Sequence, residues 1–255
     1  MKILFCIPAY GGSVRAETML AVSTGVIQLS KNFPSAEIRL FTINMAEIAR
    51  VRNIFASMVL NEGYDALFML DSDMGVPADT FSRLLASGHD VCGLTYPRRQ
   101  IDLAKFHQMA QAGNSFESCQ TGALSFIASG SFIHNNGQID IREGFLEMNE
   151  IPGGCMLIRR AAIELIWTKM PKLRQTQNIS DMEADLGLKK LIRCFDNIQE
   201  GATKYSEDIS FCRYYRKSGG KIMALIDVSV AHYGDMKYEG RYSDLLLSGA
   251  KPVTA

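Results

Sequence analysis

The sequence predicts an α/β fold, and three observations carry that prediction. Over residues 1–100, four apolar runs alternate with three segments of helical periodicity, the rhythm of strands joined by crossover helices. One of those runs, Ala66 to Leu70, is apolar at every position and follows Asn61-Glu62-Gly63, as a strand covered on both faces should. The chain is 255 residues long, 47% hydrophobic and 21% charged, which is ample for one sizeable core.

Each element follows from its local pattern. Lys2 to Ile7 reads as the first strand, closed by Pro8-Ala9-Tyr10-Gly11-Gly12, and the apolar stripe from Ala16 to Leu29 as the first helix. A second strand is expected at Glu37 to Ile43 and a helix from Met45 to Leu60, with Arg50, Arg52 and Asn53 on its first half. The strand Ala66 to Leu70 comes next, then a helix from Pro77 to Ser87 and a strand from Asp90 to Thr95 that ends at Tyr96-Pro97-Arg98-Arg99. These elements predict a parallel layer over residues 1–100. From Gly122 to Met148 the composition turns β-rich, and Asn136-Gly137 between alternating runs signals an antiparallel hairpin. Gly153-Gly154 marks a turn into a strand ending at Ile158, followed by a helix through Trp167. Lys169 to Thr203 is polar and weakly periodic, with a short helix expected at Ala184 to Ile192. Ser206-Glu207-Asp208 opens a helix to Lys217, stopped by Gly219-Gly220; a strand at Lys221 to Asp227 and an irregular tail with His232-Tyr233-Gly234 follow.

Charge excludes little but argues for little. Lys plus Arg and Asp plus Glu are 27 each, so the net field gives no case for a nucleic-acid or membrane partner. No stretch approaches the roughly 18 apolar residues of a membrane span, and the apolar run at the N-terminus is too short for a signal peptide. The six cysteines form no C-x-x-C pair and sit mostly in apolar runs. A cytoplasmic protein is expected.

The chemistry begins at Asp71-Ser72-Asp73, where the apolar strand ends. In an extended segment, side chains two residues apart point the same way, so Asp71 and Asp73 would aim at one space beyond the strand's C-terminal end. That is where open α/β sheets bind ligands. Two carboxylates aimed at one point repel unless one holds a proton or a hard cation lies between them, and Mg²⁺ or Mn²⁺ carrying a diphosphate is a common resolution. The plainer reading is a polar loop from Asp71 to Asp79 leading into the next helix.

Three further elements complete a pattern: Gly153-Gly154, Ser206-Glu207-Asp208 and His232. Together with Asp71-Ser72-Asp73, and in this order, they resemble the motifs of the GT-A superfamily of nucleotide-sugar glycosyltransferases. The resemblance covers nearly the whole chain. It implies one domain, 1–255, in which a Rossmann-like nucleotide-sugar-binding half, 1–100, merges with a smaller mixed or antiparallel half, 101–255, for acceptor binding and catalysis.

The resemblance also implies roles. Asp73, Asp71 and His232 would hold Mn²⁺ or Mg²⁺. Pro8, Ala9, Tyr10, Arg52, Asn53, Asp71, Ser72, Gly153 and Gly154 would bind the donor, a nucleotide-diphosphate sugar and most simply a UDP-sugar, with the two glycines leaving room for the sugar. Asp208 would be the base that deprotonates an acceptor hydroxyl, giving transfer with inversion. Each has a plainer alternative: Arg52 and Asn53 as solvent-facing helix residues, Gly153-Gly154 as a strand-entry turn, Asp208 as a first-turn carboxylate complementing the helix dipole, His232 as a structural histidine. The acceptor, whether glycan, protein, lipid-linked sugar or modified nucleobase, would meet variable loops at Gln100 to Phe116 and Lys172 to Lys204.

Two rival classes use similar parts. A sugar nucleotidyltransferase also pairs carboxylates and Mg²⁺ with an α/β sheet, but its Gly-rich, basic loop after the first strand is replaced here by Pro8-Ala9-Tyr10-Gly11-Gly12. A nucleotide-sugar-binding module without catalysis would have no need of the intact Asp71, Asp73, Asp208 and His232.

Overall fold

A computed structural model describes residues 1–127, 131–135 and 138–247. Eight strands form one mixed sheet in the order Ile141–Arg142, Phe145–Met148, Ile222–Leu225, Val91–Leu94, Cys155–Arg159, Ala66–Leu70, Lys2–Pro8, Glu37–Ile43. Lys2–Pro8 is parallel to both Glu37–Ile43 and Ala66–Leu70, as the strand and helix rhythm predicts. Alternate residues of these strands serve two separate cores. Leu4, Cys6, Leu67 and Met69 pack with Ile54, Phe55 and Met58 of the helix Ile48–Glu62. On the other face, Ile3, Phe5 and Phe68 pack with Val22 and Leu29 of the helix Ala16–Asn32. Burial on both faces is why Ala66 to Leu70 carries no polar residue.

The parallel layer expected over residues 1–100 is interrupted. Cys155–Arg159, from the second half of the chain, lies antiparallel between Ala66–Leu70 and Val91–Leu94. The two halves therefore share one sheet. The insertion depends on a close backbone approach: a Cβ on Gly93 would lie 2.5 Å from the carbonyl oxygen of Cys155. Val91–Leu94 is instead parallel to Ile222–Leu225.

Three other expectations are corrected. The stretch Gln100 to Phe116 is no simple loop, because Asp102 caps a helix at Leu103–Gln111 by accepting from Lys105 N. The short helix expected at Ala184 to Ile192 lies at Asp181–Asp185, and Leu191–Ile192 is a strand paired with Arg174–Gln175. The tail is regular, with antiparallel strands Val230–Tyr233 and Lys237–Gly240 and a helix Tyr242–Leu247. The strands His134–Asn135 and Gln138–Ile139 pair antiparallel, while Asn136 and Gly137 lie outside the described residues.

The polar segment around residues 189–196 is held by side chains in addition to the short Leu191–Ile192 ladder. Asn53, Ser57 and Asn61, spaced four apart on one helix face, accept from Phe195 N at 2.7 Å, Ile192 N at 2.9 Å and Lys189 N at 2.9 Å. All six cysteines are buried and unpaired, behaving as small apolar residues. Among the described residues no helix is long and apolar enough to cross a membrane.

Gly93→Ala is expected to destabilise the protein by about 1–3 kcal/mol, the scale of overpacking a closed core. Urea unfolding checks it: an unchanged midpoint would mean that the two strands tolerate a wider gap than the structure shows.

Candidate functional site

The central strand ends at Leu70, and the chain turns at once. Met74 N donates to the Asp71 carbonyl at 3.3 Å, while the Ser72 carbonyl accepts from Arg15 N at 3.0 Å and Thr18 Oγ1 at 3.1 Å. Asp71, Ser72 and Asp73 therefore form a turn instead of an extended segment. The expectation that both carboxylates aim at one point, which rested on extended geometry, is corrected. Asp71 Oδ1 accepts from Arg52 Nη2 at 2.8 Å; Asp73 Oδ2 accepts from Arg99 Nη1 at 3.0 Å and lies 3.5 Å from His232 Nε2.

Arg52 is 3% exposed and bridges two carboxylates, Asp71 and Glu207, the latter at 2.6 Å. Burial opposes its charge, but Asp71, Glu207 and Asp208 together more than offset it, so its pKa is raised and the guanidinium stays charged. Glu207 feels the reverse balance: burial raises its pKa, Arg52 lowers it, and the neighbouring Asp208 raises it further. The plainer alternative of a solvent-facing Arg52 is thereby excluded.

Arg52 also gives Gly153 its reason. A Cβ there would lie 2.1 Å from Arg52 Nη1, and a Cβ on Gly154 would lie 2.4 Å from the Tyr96 hydroxyl oxygen. The space over the two glycines, expected for a donor sugar, is filled by this chain's own Arg52 and Tyr96. Gly153 N donates to Asp208 Oδ2 at 3.0 Å and Gly154 N to the Tyr96 hydroxyl at 3.0 Å. The turn at Gly153-Gly154 is thus tied to Asp208 through Gly153 and to Tyr96 through Gly154. The other Asp208 oxygen, Oδ1, accepts from the Ser206 hydroxyl and from Ile209 N at 2.8 Å, so the carboxylate is fixed in orientation at the start of the helix Glu207–Lys217.

His232 reaches Asp73 because the Val230–Tyr233 strand pairs with Met74–Gly75, setting His232 opposite Met74, while Tyr233 N donates to the Asp73 carbonyl at 2.8 Å. His232 Nδ1 lies 2.9 Å from the Pro97 carbonyl. A carbonyl only accepts, so Nδ1 carries the proton and a neutral ring turns its Nε2 lone pair toward Asp73. Two acceptors then face each other across 3.5 Å, an arrangement relieved by a proton or a cation between them. Burial raises the Asp73 pKa; when the relieving group is a proton on Nε2, the ring donates to Asp73 and adds its charge to that of Arg99, which together outweigh burial and leave the carboxyl below its usual value.

These two side chains fit a divalent cation, with the imidazole fixed by a second hydrogen bond as metal-bound histidines are. Asp71 differs, since its Oδ1 is engaged by Arg52. Among the described residues no group of three or more His, Cys, Asp or Glu is placed to hold a metal. Two protein ligands are sufficient for a cation that keeps waters and takes its other oxygens from phosphates.

The remaining donor-side residues are mostly not displayed. Pro8 and Ala9 are buried, with Ala9 N donating to the Ile43 carbonyl at 2.9 Å; Tyr10 is 72% exposed beside them. Asn53 is buried with both ends of its amide engaged, Oδ1 by Phe195 N and Nδ2 by Asp196 at 2.8 Å. Sequence reasoning missed Tyr96, Pro97 and Arg99, which respectively seat Gly154, orient His232 and pair with Asp73. Their signal was available: an aromatic and two arginines at the C-terminal end of a buried strand.

No family model matches the chain, and no curated protein matches it. Its fold is similar to A197 from STIV, at 16% identity and TM-score 0.48 over 96% of this chain and 92% of that one. It is also similar to UDP-glucose pyrophosphorylase complexed with UDP-glucose, at 8% identity and TM-score 0.41 over 98% and 95%. A third likeness is mannose-1-phosphate geranyltransferase from Thermus thermophilus, at 12% identity and TM-score 0.34 over 67% and 61%. Likenesses this distant assign neither family nor activity, so the chemistry of the site rests on its own residues.

Arg52→Lys is expected to lower the unfolding free energy by about 2 kcal/mol and Arg52→Met by about 4, because a single ammonium nitrogen replaces a planar fork whose two nitrogens each take one carboxylate, and a thioether leaves both unpaired. Chemical denaturation measures both, and equal stability of all three proteins would contradict the bridging role.

Proposed function

We propose that the protein is a divalent-metal-dependent glycosyltransferase that moves a sugar from a nucleotide-diphosphate donor, with UDP the simplest nucleotide, to an acceptor hydroxyl. The observation that carries the reading is the Asp73 carboxylate facing a tautomer-fixed His232 Nε2 at the C-terminal end of the central buried strand. A cation held there would neutralise the charge that develops on the leaving diphosphate. Its ligands from this chain are Asp73 and His232. Asp71 supports them indirectly, tying the turn to Arg52 and so to the start of the helix that carries Asp208.

Asp208 is assigned as the base that takes the acceptor's proton. Gly153 N, Ser206 and Ile209 N hold its carboxylate in one orientation, which suits a positioned base. Inversion follows from a base on the acceptor side, opposite the leaving group. The order of the motifs Asp71-Ser72-Asp73, Gly153-Gly154, Ser206-Glu207-Asp208 and His232, with the contacts of Gly153 N to Asp208 and of His232 to Asp73, supports the assignment.

Titration calorimetry of UDP with and without Mn²⁺ tests the metal. Asp73→Asn is expected to abolish metal-dependent binding, and His232→Ala to weaken it about tenfold or more, the scale for losing a ligand or its orienting partner. Binding that ignores both Mn²⁺ and the two substitutions would remove the metal from the account. Asn at position 208 keeps an acceptor for Gly153 N, so Asp208→Asn should fold and bind donor but transfer sugar about 10²-fold more slowly. Proton NMR of the first product, showing an inverted anomeric centre, checks the stereochemistry. Pyrophosphate release from a nucleoside triphosphate and a sugar phosphate would point to a nucleotidyltransferase, and donor binding with no turnover at all to a binding module.

A further inference from the structure

Among the described residues at the site, Arg99 is the charged side chain to which the proposed chemistry gives no task. It follows Tyr96 and Pro97 on the segment that seats Gly154 and orients His232, and its guanidinium lies 3.0 Å from Asp73 Oδ2. That is the same oxygen that faces His232 Nε2. A cation held between Oδ2 and Nε2 would therefore meet the guanidinium across a single oxygen, and like charges that close repel. One of the two must yield.

Arg99 is the group built to yield. Its side chain is 53% exposed, and among the described residues its ion pair is with Asp73 alone. Exposed pairs of this kind contribute little to stability. Its path runs across Gly234, where a Cβ would lie 2.9 Å from Arg99 Cδ, so the glycine keeps that path open. Arg15 donates to the carbonyl of the same glycine at 2.6 Å, with its guanidinium over the Tyr233 ring. A guanidinium displaced from Asp73 stays within a side chain's length of any diphosphate bound to the cation, and its planar fork matches phosphate oxygens.

We propose that Arg99 exchanges partners: it holds Asp73 while the cation site is empty of metal, and it is released by the cation to bind the diphosphate. The inference rests on the proposed Asp73 and His232 cation site and adds a diphosphate-binding residue to it. The exchange makes the cation and the diphosphate bind cooperatively, because the first to arrive frees the contact used by the second.

The test uses the whole chain and two probes that need no knowledge of the sugar, Mn²⁺ alone and inorganic pyrophosphate in saturating Mn²⁺, both by titration calorimetry. Arg99→Ala should bind Mn²⁺ alone about two- to fivefold more tightly, since its competitor for Asp73 is gone. It should bind pyrophosphate about tenfold or more weakly, since a charge-assisted hydrogen bond is lost. Arg99→Lys should recover part of the pyrophosphate affinity. The melting curves of both variants should overlay that of the wild type, as befits an exposed side chain. Changes of the same sign for both probes, or none, overturn the assignment of Arg99 while leaving the cation site standing. A wild-type protein that takes up neither probe overturns the cation site and the exchange with it.

Discussion

A buried guanidinium is the constraint on which the rest of the site depends. Arg52 lies among apolar core residues on the inner half of its helix, where an uncompensated charge would cost several kcal/mol. It is tolerated because Asp71 and Glu207 both reach it. Those two carboxylates stand at the end of the central strand and at the start of a helix 136 positions later in the chain, Asp71 against Glu207. One side chain thus pins two distant segments at a common point, and the Gly153 turn closes over it because nothing larger than a hydrogen fits. The same requirement fixes Asp208, the next residue along, against Gly153 N.

The two aspartates of the turn therefore have different physical duties. Asp71 is structural counter-charge, half of the bridge that Arg52 makes to Glu207. Asp73 is paired instead with the exposed Arg99 and stands beside an imidazole whose tautomer is set by a backbone carbonyl. The turn gives the two carboxylates different partners, so that Asp71 braces the scaffold through the buried Arg52 while Asp73 stands with His232 and the exposed Arg99.

Much of this was legible in the residues. The Ala66 to Leu70 run, read as buried on both faces, lies mid-sheet, and Asp71-Ser72-Asp73 stands at its C-terminal end as expected. Gly153 meets Asp208, and Asp73 meets His232, as two separate contacts between distant parts of the chain. What the sequence hid was long-range. No local pattern announces that Cys155–Arg159 enters between two strands of the first half, because strand pairing is decided by tertiary packing and the only trace was one glycine, Gly93. The glycines at 153 and 154 were read as space for a ligand because a sequence cannot show which side chain fills the space. The strands of the tail were missed because their apolar alternation is short and broken by charged residues, and they are stabilised by pairing with Met74–Gly75.

Pulsed electron paramagnetic resonance of Mn²⁺ bound to the protein together with UDP tests the central claim most directly, since it identifies nuclei coordinated to the cation. The account predicts coupling to one imidazole nitrogen, lost in His232→Ala, together with phosphorus couplings from the diphosphate that persist in that variant at higher metal concentration. A spectrum of fully hydrated Mn²⁺, or phosphorus coupling with no nitrogen in the wild-type protein, would contradict the assignment of Asp73 and His232 as the site that holds the donor's cation.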